Sequence, residues 1–318
     1  MLEMETQSLS HPLILKIQKQ VSEVYKGEFS RWEPLLIGLF GSLHVLIEDL
    51  PGVGKTTLAK VLSKTLGLDF GRIQFTPDLI PGDVVGMTLW SQEKKEFFFR
   101  PGAVMHQFIL ADEINRASSR TQSALLEAMQ ENQVTLDGVT HRLPQPFLVV
   151  ATQNPHSFQG TFPLPEAQLD RFGLVFTLGY PSPAAALEVL DLPWEILNDK
   201  NILSVSTAQE ILDLRKEVQK ISCQGSLKKW VIKIAELTRY DSRVSLGLSP
   251  RATQHWLQGS KACAFLRGRD FIIPEDILHV APWILPHRLV LSGSARLQGH
   301  QSKDILEGII KSLALPLQ

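Results

Sequence analysis

An α/β protein, with a parallel sheet between helices followed by a smaller all-helical region, is what this sequence predicts. Three observations carry that reading. Over residues 1–180, short apolar runs of strand length alternate with helical periodicities. A turn of small residues, Pro51-Gly52-Val53-Gly54, separates the first such run from an amphipathic stretch. Beyond Tyr180-Pro181-Ser182-Pro183 the pattern becomes almost wholly helical. A length of 318 residues suits about two domains, read here as 1–180 and 181–318.

The expected strands are Leu43–Glu48, Arg72–Thr76, Phe108–Ala111, Phe147–Thr152 and Leu174–Thr177. After the first, Lys55–Leu66 places Leu58, Val61, Leu62 and Leu66 on one helical face, and Gly67 stands where that helix needs a C-terminal stop. In the second region, Ser249-Pro250 reads as an N-cap followed by proline at the first helical position. Ala252, Trp256, Gly259, Cys263 and Leu266 then recur at steps of four and three.

Composition removes several classes of function. A formal net charge of -1, with 20% charged and 44% hydrophobic residues, argues against non-specific binding to nucleic acid or acidic membranes. The longest apolar stretch, Leu35 to Ile47, is broken by Ser42 and His44 and is too short to span a bilayer. No Lys or Arg precedes Lys16, so the basic start of a signal peptide is missing, and the chain reads as cytoplasmic. Cys223 and Cys263 have no ligand spacing around them and read as ordinary thiols rather than metal ligands.

The strongest motif is Pro51-Gly52-Val53-Gly54-Lys55-Thr56-Thr57. Between a strand and a helix, such a loop turns backbone N–H groups toward phosphate oxygens, at a helix N-terminus whose dipole favours negative charge. Lys55 would reach the β- and γ-phosphates, and the Thr56 hydroxyl would ligate Mg²⁺. The general P-loop pattern G-x-x-x-x-G-K-[ST] wants glycine where this chain has Asp49. A carboxylate facing phosphate would repel it, so Asp49 is expected to point away.

Some 55 residues later, the apolar strand Phe108-Ile109-Leu110-Ala111 ends in Asp112-Glu113. Strand C-terminal ends face the ligand crevice in parallel sheets. Asp112 would hold Mg²⁺, and Glu113 would polarise the water that attacks the γ-phosphate. A third strand ends in Ala151-Thr152-Gln153-Asn154-Pro155, where Asn154 either orients that water or simply opens an Asn-Pro turn.

Together these residues resemble the MoxR family of AAA+ ATPases. The similarity runs through Ala111-Asp112-Glu113-Ile114-Asn115-Arg116-Ala117 and Thr121 to Met129. It continues in Ala151 to Pro155 and in Pro163 to Phe172. Gln74 to Leu79, Ser249-Pro250-Arg251 and Leu266 to Asp270 carry it further, so that it covers nearly the whole chain. The resemblance implies an AAA+ P-loop core with a helical lid, and a ring, usually hexameric, with ATP between subunits. It assigns Asn154 to sensor one and Arg171 to an arginine finger acting on the neighbour's nucleotide. Arg251 becomes the sensor-two arginine that reaches the γ-phosphate from the lid. Met87–Arg100 resembles the family's insert within the second helix, and Asn132–Leu143 reads as a hairpin around Asp137-Gly138, like the one preceding sensor one. Gly27 matches a segment near the adenine.

The function that follows is an ATPase that remodels, activates or metal-loads client protein complexes, working with a separate von Willebrand factor A domain protein. A helicase-type motor is the alternative, although the hairpin offers only His141 and Arg142 near its end, against Asp137 at its tip. A chelatase motor subunit is the nearest other enzyme. An ATP-binding scaffold is disfavoured, because Lys55, Thr56, Asp112, Glu113 and Arg171 are all present.

Overall fold

The structure, a computed structural model, describes residues 11–155, 161–191 and 202–315. The acidic start at Glu3 and Glu5 lies outside those residues. In chain order, α1 (Pro12–Val24) and α2 (Phe29–Gly41) precede β1 (Val45–Glu48), α3 (Lys55–Thr65) and β2 (Phe70–Gln74). Next come α4 (Pro81–Val85), the hairpin β3 (Gly86–Ser91) and β4 (Glu96–Pro101), then β5 (Phe108–Asp112) and α5 (Ser119–Glu131). A second hairpin, β6 (Gln133–Leu136) and β7 (Val139–Arg142), leads to β8 (Leu148–Gln153), α6 (Glu166–Leu169) and β9 (Leu174–Phe176). Then follow α7 (Pro183–Leu190), α8 (Ala208–Lys220), α9 (Gly225–Tyr240), β10 (Val244–Leu246) and α10 (Pro250–Leu266). The order ends with α11 (Pro274–Ile284), β11 (Val290–Leu291), α12 (Gly293–Leu297) and α13 (Ser302–Ser312).

Five parallel strands form the central sheet in the order β2-β5-β8-β1-β9. Alternate residues face opposite sides of a strand, and both sides are covered. Val45, Ile47, Phe108, Leu110, Leu148 and Val150 join α1, α2, α3 and the later helices in one core cluster. Leu46, Ile109, Ala111, Val149 and Ala151 join α5 in the other. Burial on both faces explains why these strands read as near-continuous apolar runs.

The observed strands start or stop within two residues of the expected ones. The long apolar stretch Leu35–Ile47 is two elements, the buried end of α2 and then β1, divided where Ser42 adopts a left-handed φ of 53°. Gly67 (φ 66°) ends α3, and Ser249 Oγ accepts the Ala252 N–H at 3.1 Å at the start of α10. The later region departs from all-helical, among the described residues, at a parallel bridge between Ser222 and Phe271 and at one short ladder. Val244–Leu246 and Val290–Leu291 pair as a short antiparallel ladder, too brief for periodicity to reveal.

Candidate functional site

Three strand ends converge on one cleft. The loop after β1, the Asp112-Glu113 end of β5 and the Gln153-Asn154 end of β8 surround a cavity of about 350 Å³. It brings together Pro51, Gly52, Gly54, Lys55, Thr56, Thr57, Asp112, Glu113 and Asn154. Val53 differs: its side chain is buried in the core, leaving only its main chain to serve a ligand.

Gly52 (φ 88°) and Gly54 (φ 86°) hold left-handed conformations that other residues adopt only with strain. A Cβ at Gly52 would meet nothing within 4 Å, so backbone conformation rather than space selects glycine there. At Gly54 a Cβ would stand 3.2 Å from the Tyr25 ring. That ring also folds over Gly27, whose lack of a side chain gives it room. Gly27 therefore seats the aromatic ring that backs the phosphate loop. Lys55 Nζ donates to the carbonyls of Asp49 (3.0 Å) and Leu50 (2.8 Å). Partial burial pushes its ammonium below the usual lysine range, opposed by Asp49, Asp112 and Glu113.

Asp49 turns away from the loop interior. Its Oδ2 accepts the N–H groups of Leu178 and Gly179, and its Oδ1 accepts that of Leu50. The departure from the general motif thus carries no negative group into the cleft.

Asp112 and Glu113 are fixed by residues that sequence reasoning did not single out. The Thr152 hydroxyl donates to Asp112 Oδ1 at 2.7 Å and accepts the Glu113 N–H at 2.9 Å. Arg72 Nη2 lies 2.7 Å from Asp112 Oδ2. Glu113 Oε2 accepts from Arg116 Nη1 (2.8 Å) and from Gln74 Nε2 (3.3 Å). Arg72 and Gln74 alternate along β2, in register with Leu110 and Asp112 of β5, so both point to one face. Two long polar side chains on a strand beside the acidic one were the available signal. Arg116, which the family motif carries three residues after Glu113, pairs with Glu113 of its own chain. Glu113 itself has a left-handed φ of 56°, a form of strain that clusters at functional sites.

The donor set fits a magnesium nucleotide. Thr56 and Asp112 offer hard oxygen ligands of the kind Mg²⁺ prefers, and the loop at 52–54 leaves backbone N–H groups uncovered by side chains. Among the described residues no group of three or more His, Cys, Asp or Glu could hold a metal. Cys263 is buried, which pushes its thiol well above the ordinary range.

Arg171 and Arg251 are not in this cleft. They line a separate cavity of about 420 Å³, together with Arg215, His44 and His255, and the two cavities share no lining residue. Arg171 follows α6 and makes no side-chain hydrogen bond or ion pair among the described residues. Arg251, at the second position of α10, lies 3.7 Å from Asp170 Oδ2.

The two hairpins touch each other, Phe99 stacking on His141 with ring centroids 3.8 Å apart. Trp90 and Phe97 remain half or more exposed beside them.

Comparison with known proteins gives the family. Residues 44–174 match the model of the ATPase family associated with various cellular activities (AAA), and residues 236–309 match the AAA lid domain. The chain is 43% identical to the uncharacterized protein YeaC of Bacillus subtilis, over 97% of this chain and 96% of the relative. It is 38% identical to chaperone MoxR1 of Mycobacterium tuberculosis, over 93% and 81%. Protein MoxR of Paracoccus denitrificans is 30% identical over 89% and 90%. A crystal structure from Cytophaga hutchinsonii superposes with a TM-score of 0.89 at 39% identity, covering 95% of this chain and 94% of that one. The chain belongs to the MoxR family of AAA+ ATPases.

Proposed function

We propose that this chain is the subunit of a closed hexameric ring that couples ATP hydrolysis to remodelling, activation or metal-loading of client protein complexes. In this reading residues 1–180 bind the nucleotide and residues 181–318 form the lid. A relative named as a chaperone supports a protein client, and a separate von Willebrand factor A domain protein is the partner that the family resemblance suggests. A cytoplasmic location follows from the same reading. Among the described residues, no helix is long and apolar enough to cross a membrane.

The observation that carries the proposal is the separation of two sets of residues that one reaction needs. Lys55, Thr56, Asp112, Glu113 and Asn154 surround one cavity, and Arg171 with Arg251 lines another. Within a ring, the arginine-bearing cavity of one subunit faces the phosphate cleft of the next. The loop N–H groups and Lys55 hold the β- and γ-phosphates. Thr56 and Asp112 would hold Mg²⁺, directly or through water, and it would supply charge neutralisation to the phosphates.

Asn154 orients the attacking water, and Glu113 takes its proton as the water oxygen bonds to the γ-phosphorus. The bond from that phosphorus to the bridging oxygen breaks, and ADP leaves. Arg171 and Arg251 of the neighbour stabilise the charge on the transferring group. This extends the sequence expectation for Arg251. Its lid position beside Arg171 in one cavity supports a role on the neighbour's nucleotide.

Subunit mixing tests the proposal. Arg171→Ala keeps an intact phosphate cleft without a finger, whereas Lys55→Ala keeps a finger without a working cleft. Each alone is expected to be nearly inactive, since such fingers contribute roughly 10³–10⁵ to turnover. Mixed and allowed to exchange, the two should regain activity. Rings shown to contain both variants and yet inactive would sink the shared-site reading.

A further inference from the structure

The residues on either side of Arg171 are gripped by a buried arginine from the far end of the chain. Arg288 ends the short 3-10 turn Pro286–Arg288 that follows α11, and its side chain is 1% exposed. One amino group, Nη2, donates to the carbonyl oxygens of Phe172 (2.7 Å) and Asp170 (3.2 Å). The same nitrogen lies 2.6 Å from His255 Nδ1 of α10. Arg288 Nε stands 3.2 Å from Asp170 Oδ1. The adjacent His287 donates from Nε2 to the Phe172 carbonyl at 3.2 Å. Arg251 approaches the other Asp170 oxygen at 3.7 Å.

Two main-chain carbonyls and one carboxylate, all within one residue of Arg171, are therefore held by side chains of the lid. Taking a guanidinium out of water costs several kcal/mol, and apolar residues of similar volume commonly pack such a position as well or better. What the Arg288 guanidinium provides is one amino group, Nη2, set between the Asp170 and Phe172 carbonyls at the end of a long side chain, with the charge beside the Asp170 carboxylate; Nε and Nη1 make no hydrogen bond among the described residues. Phe172 is itself fully buried. The Arg171 backbone is thus anchored on both sides, while its side chain is left for the cavity.

We propose that Arg288 is a positioning residue for Arg171, setting the reach of one subunit's finger into its neighbour's phosphate cleft from that subunit's own lid. The proposal rests on the reading of Arg171 as a finger acting between subunits. Its consequence is that a shift of the lid, from whatever cause, moves the finger with it. A displacement of about 1 Å at a positioning group can cost 10²-fold in rate.

The test sorts variants by what they complement. Arg288→Gln shortens the side chain and removes its charge, and it touches no residue of the 350 Å³ phosphate cavity. Its turnover at saturating ATP is expected to fall about 10²-fold with nucleotide affinity unchanged. Mixed with Lys55→Ala, which retains a finger, it should regain activity. Mixed with Arg171→Ala it should not, because every interface would then lack a working finger. Arg288→Lys, keeping the charge but not the placement of Nη2 between the two carbonyls, is expected to fall between wild type and Arg288→Gln.

Regained activity with Arg171→Ala, or wild-type turnover in Arg288→Gln, would overturn the proposal. Should Arg288→Gln not fold, Asp170→Asn enters the same two mixtures, since its side chain is 27% exposed and tolerates change better. The same pattern of complementation is expected, and the opposite pattern overturns the proposal. Failure of Lys55→Ala and Arg171→Ala to complement each other would instead remove the underlying finger reading.

Discussion

Asp49 holds the main chain at Leu178, its Oδ2 accepting the Leu178 N–H at 2.8 Å across 129 residues of sequence. The same oxygen accepts the Gly179 N–H at 2.7 Å. On the carbonyl side of this segment, Arg31 Nη1 donates to Leu178 and Tyr180. The phosphate loop and the segment leaving β9 are therefore tied by one carboxylate.

Substituting Asp49 by glycine would restore the commoner P-loop pattern, yet it should harm the protein. A buried amide left without an acceptor costs about 1–3 kcal/mol, and an added glycine costs roughly 0.5–1 kcal/mol of chain entropy. The Asp49→Gly variant is expected to unfold at lower urea concentration with unchanged dependence on denaturant. A variant at least as stable as wild type would contradict the role given to Asp49.

Stability should also fall with acidification below neutrality because of His44. Its Nε2 lies 3.0 Å from the Met129 carbonyl, and its Nδ1 lies 3.1 Å from the Val149 nitrogen. The neutral tautomer with hydrogen on Nε2 satisfies both contacts, and a second proton on Nδ1 would meet a donor. Burial pushes the folded pKa down to about 4, and the nearby Arg215 pushes the same way. His255, beside Arg288, is lowered further, to about 3. Between the ordinary value of 6.5 and these folded values, the unfolded chain binds more protons, so stability rises with pH. The loss therefore begins as pH drops through about 6.5 and continues toward 4, and above neutrality these groups add no pH dependence. Urea midpoints at pH 7.5, 6 and 5, each approximate, would show it, and His44→Gln should flatten the slope. An equal slope in that variant would assign the effect to other groups.

What the sequence made legible was local. The parallel strands stood out as apolar because both faces of each are covered, and the phosphate loop, Asp112 and Glu113 lie at strand ends that such runs reveal. The partners of those residues are distant: Arg72 reaches Asp112 across 40 residues, and Arg288 reaches Asp170 across 118. No periodicity carries information about such pairs. The cavity shared by Arg171 and Arg251 was likewise invisible, because the lid's placement depends on how α10 packs on α2, α8 and α11.

The hairpins bear on whether the client is nucleic acid. Of the two basic side chains near the end of the β6–β7 hairpin, His141 is stacked on Phe99, and Asp137 occupies the turn. A tip meant to track phosphates needs free cations. Single-stranded DNA or RNA at physiological salt is therefore expected neither to bind tightly nor to raise ATP turnover. Stoichiometric stimulation by either would favour the helicase-type reading over a protein client.

Glu113→Gln separates binding from chemistry. Glutamine keeps the length of the side chain and can still accept from Arg116, now 2.8 Å from Oε2, but it cannot take a proton from water. The Glu113 N–H remains on Thr152 Oγ1, so the left-handed backbone at this residue should persist. ATP affinity is expected to be unchanged, and turnover to fall by about 10²–10⁴, the usual contribution of a general base. Thr152→Val provides the contrast. It leaves the carboxylate in place but removes both the donor to Asp112 and the acceptor for the Glu113 amide. That variant should lose about 1–3 kcal/mol of stability as well as turnover. If Glu113→Gln hydrolyses ATP at close to the wild-type rate, Glu113 is not the base. A Thr152→Val protein that lost turnover without stability would show Thr152 to act on the reaction directly rather than by holding Asp112 and Glu113 in place.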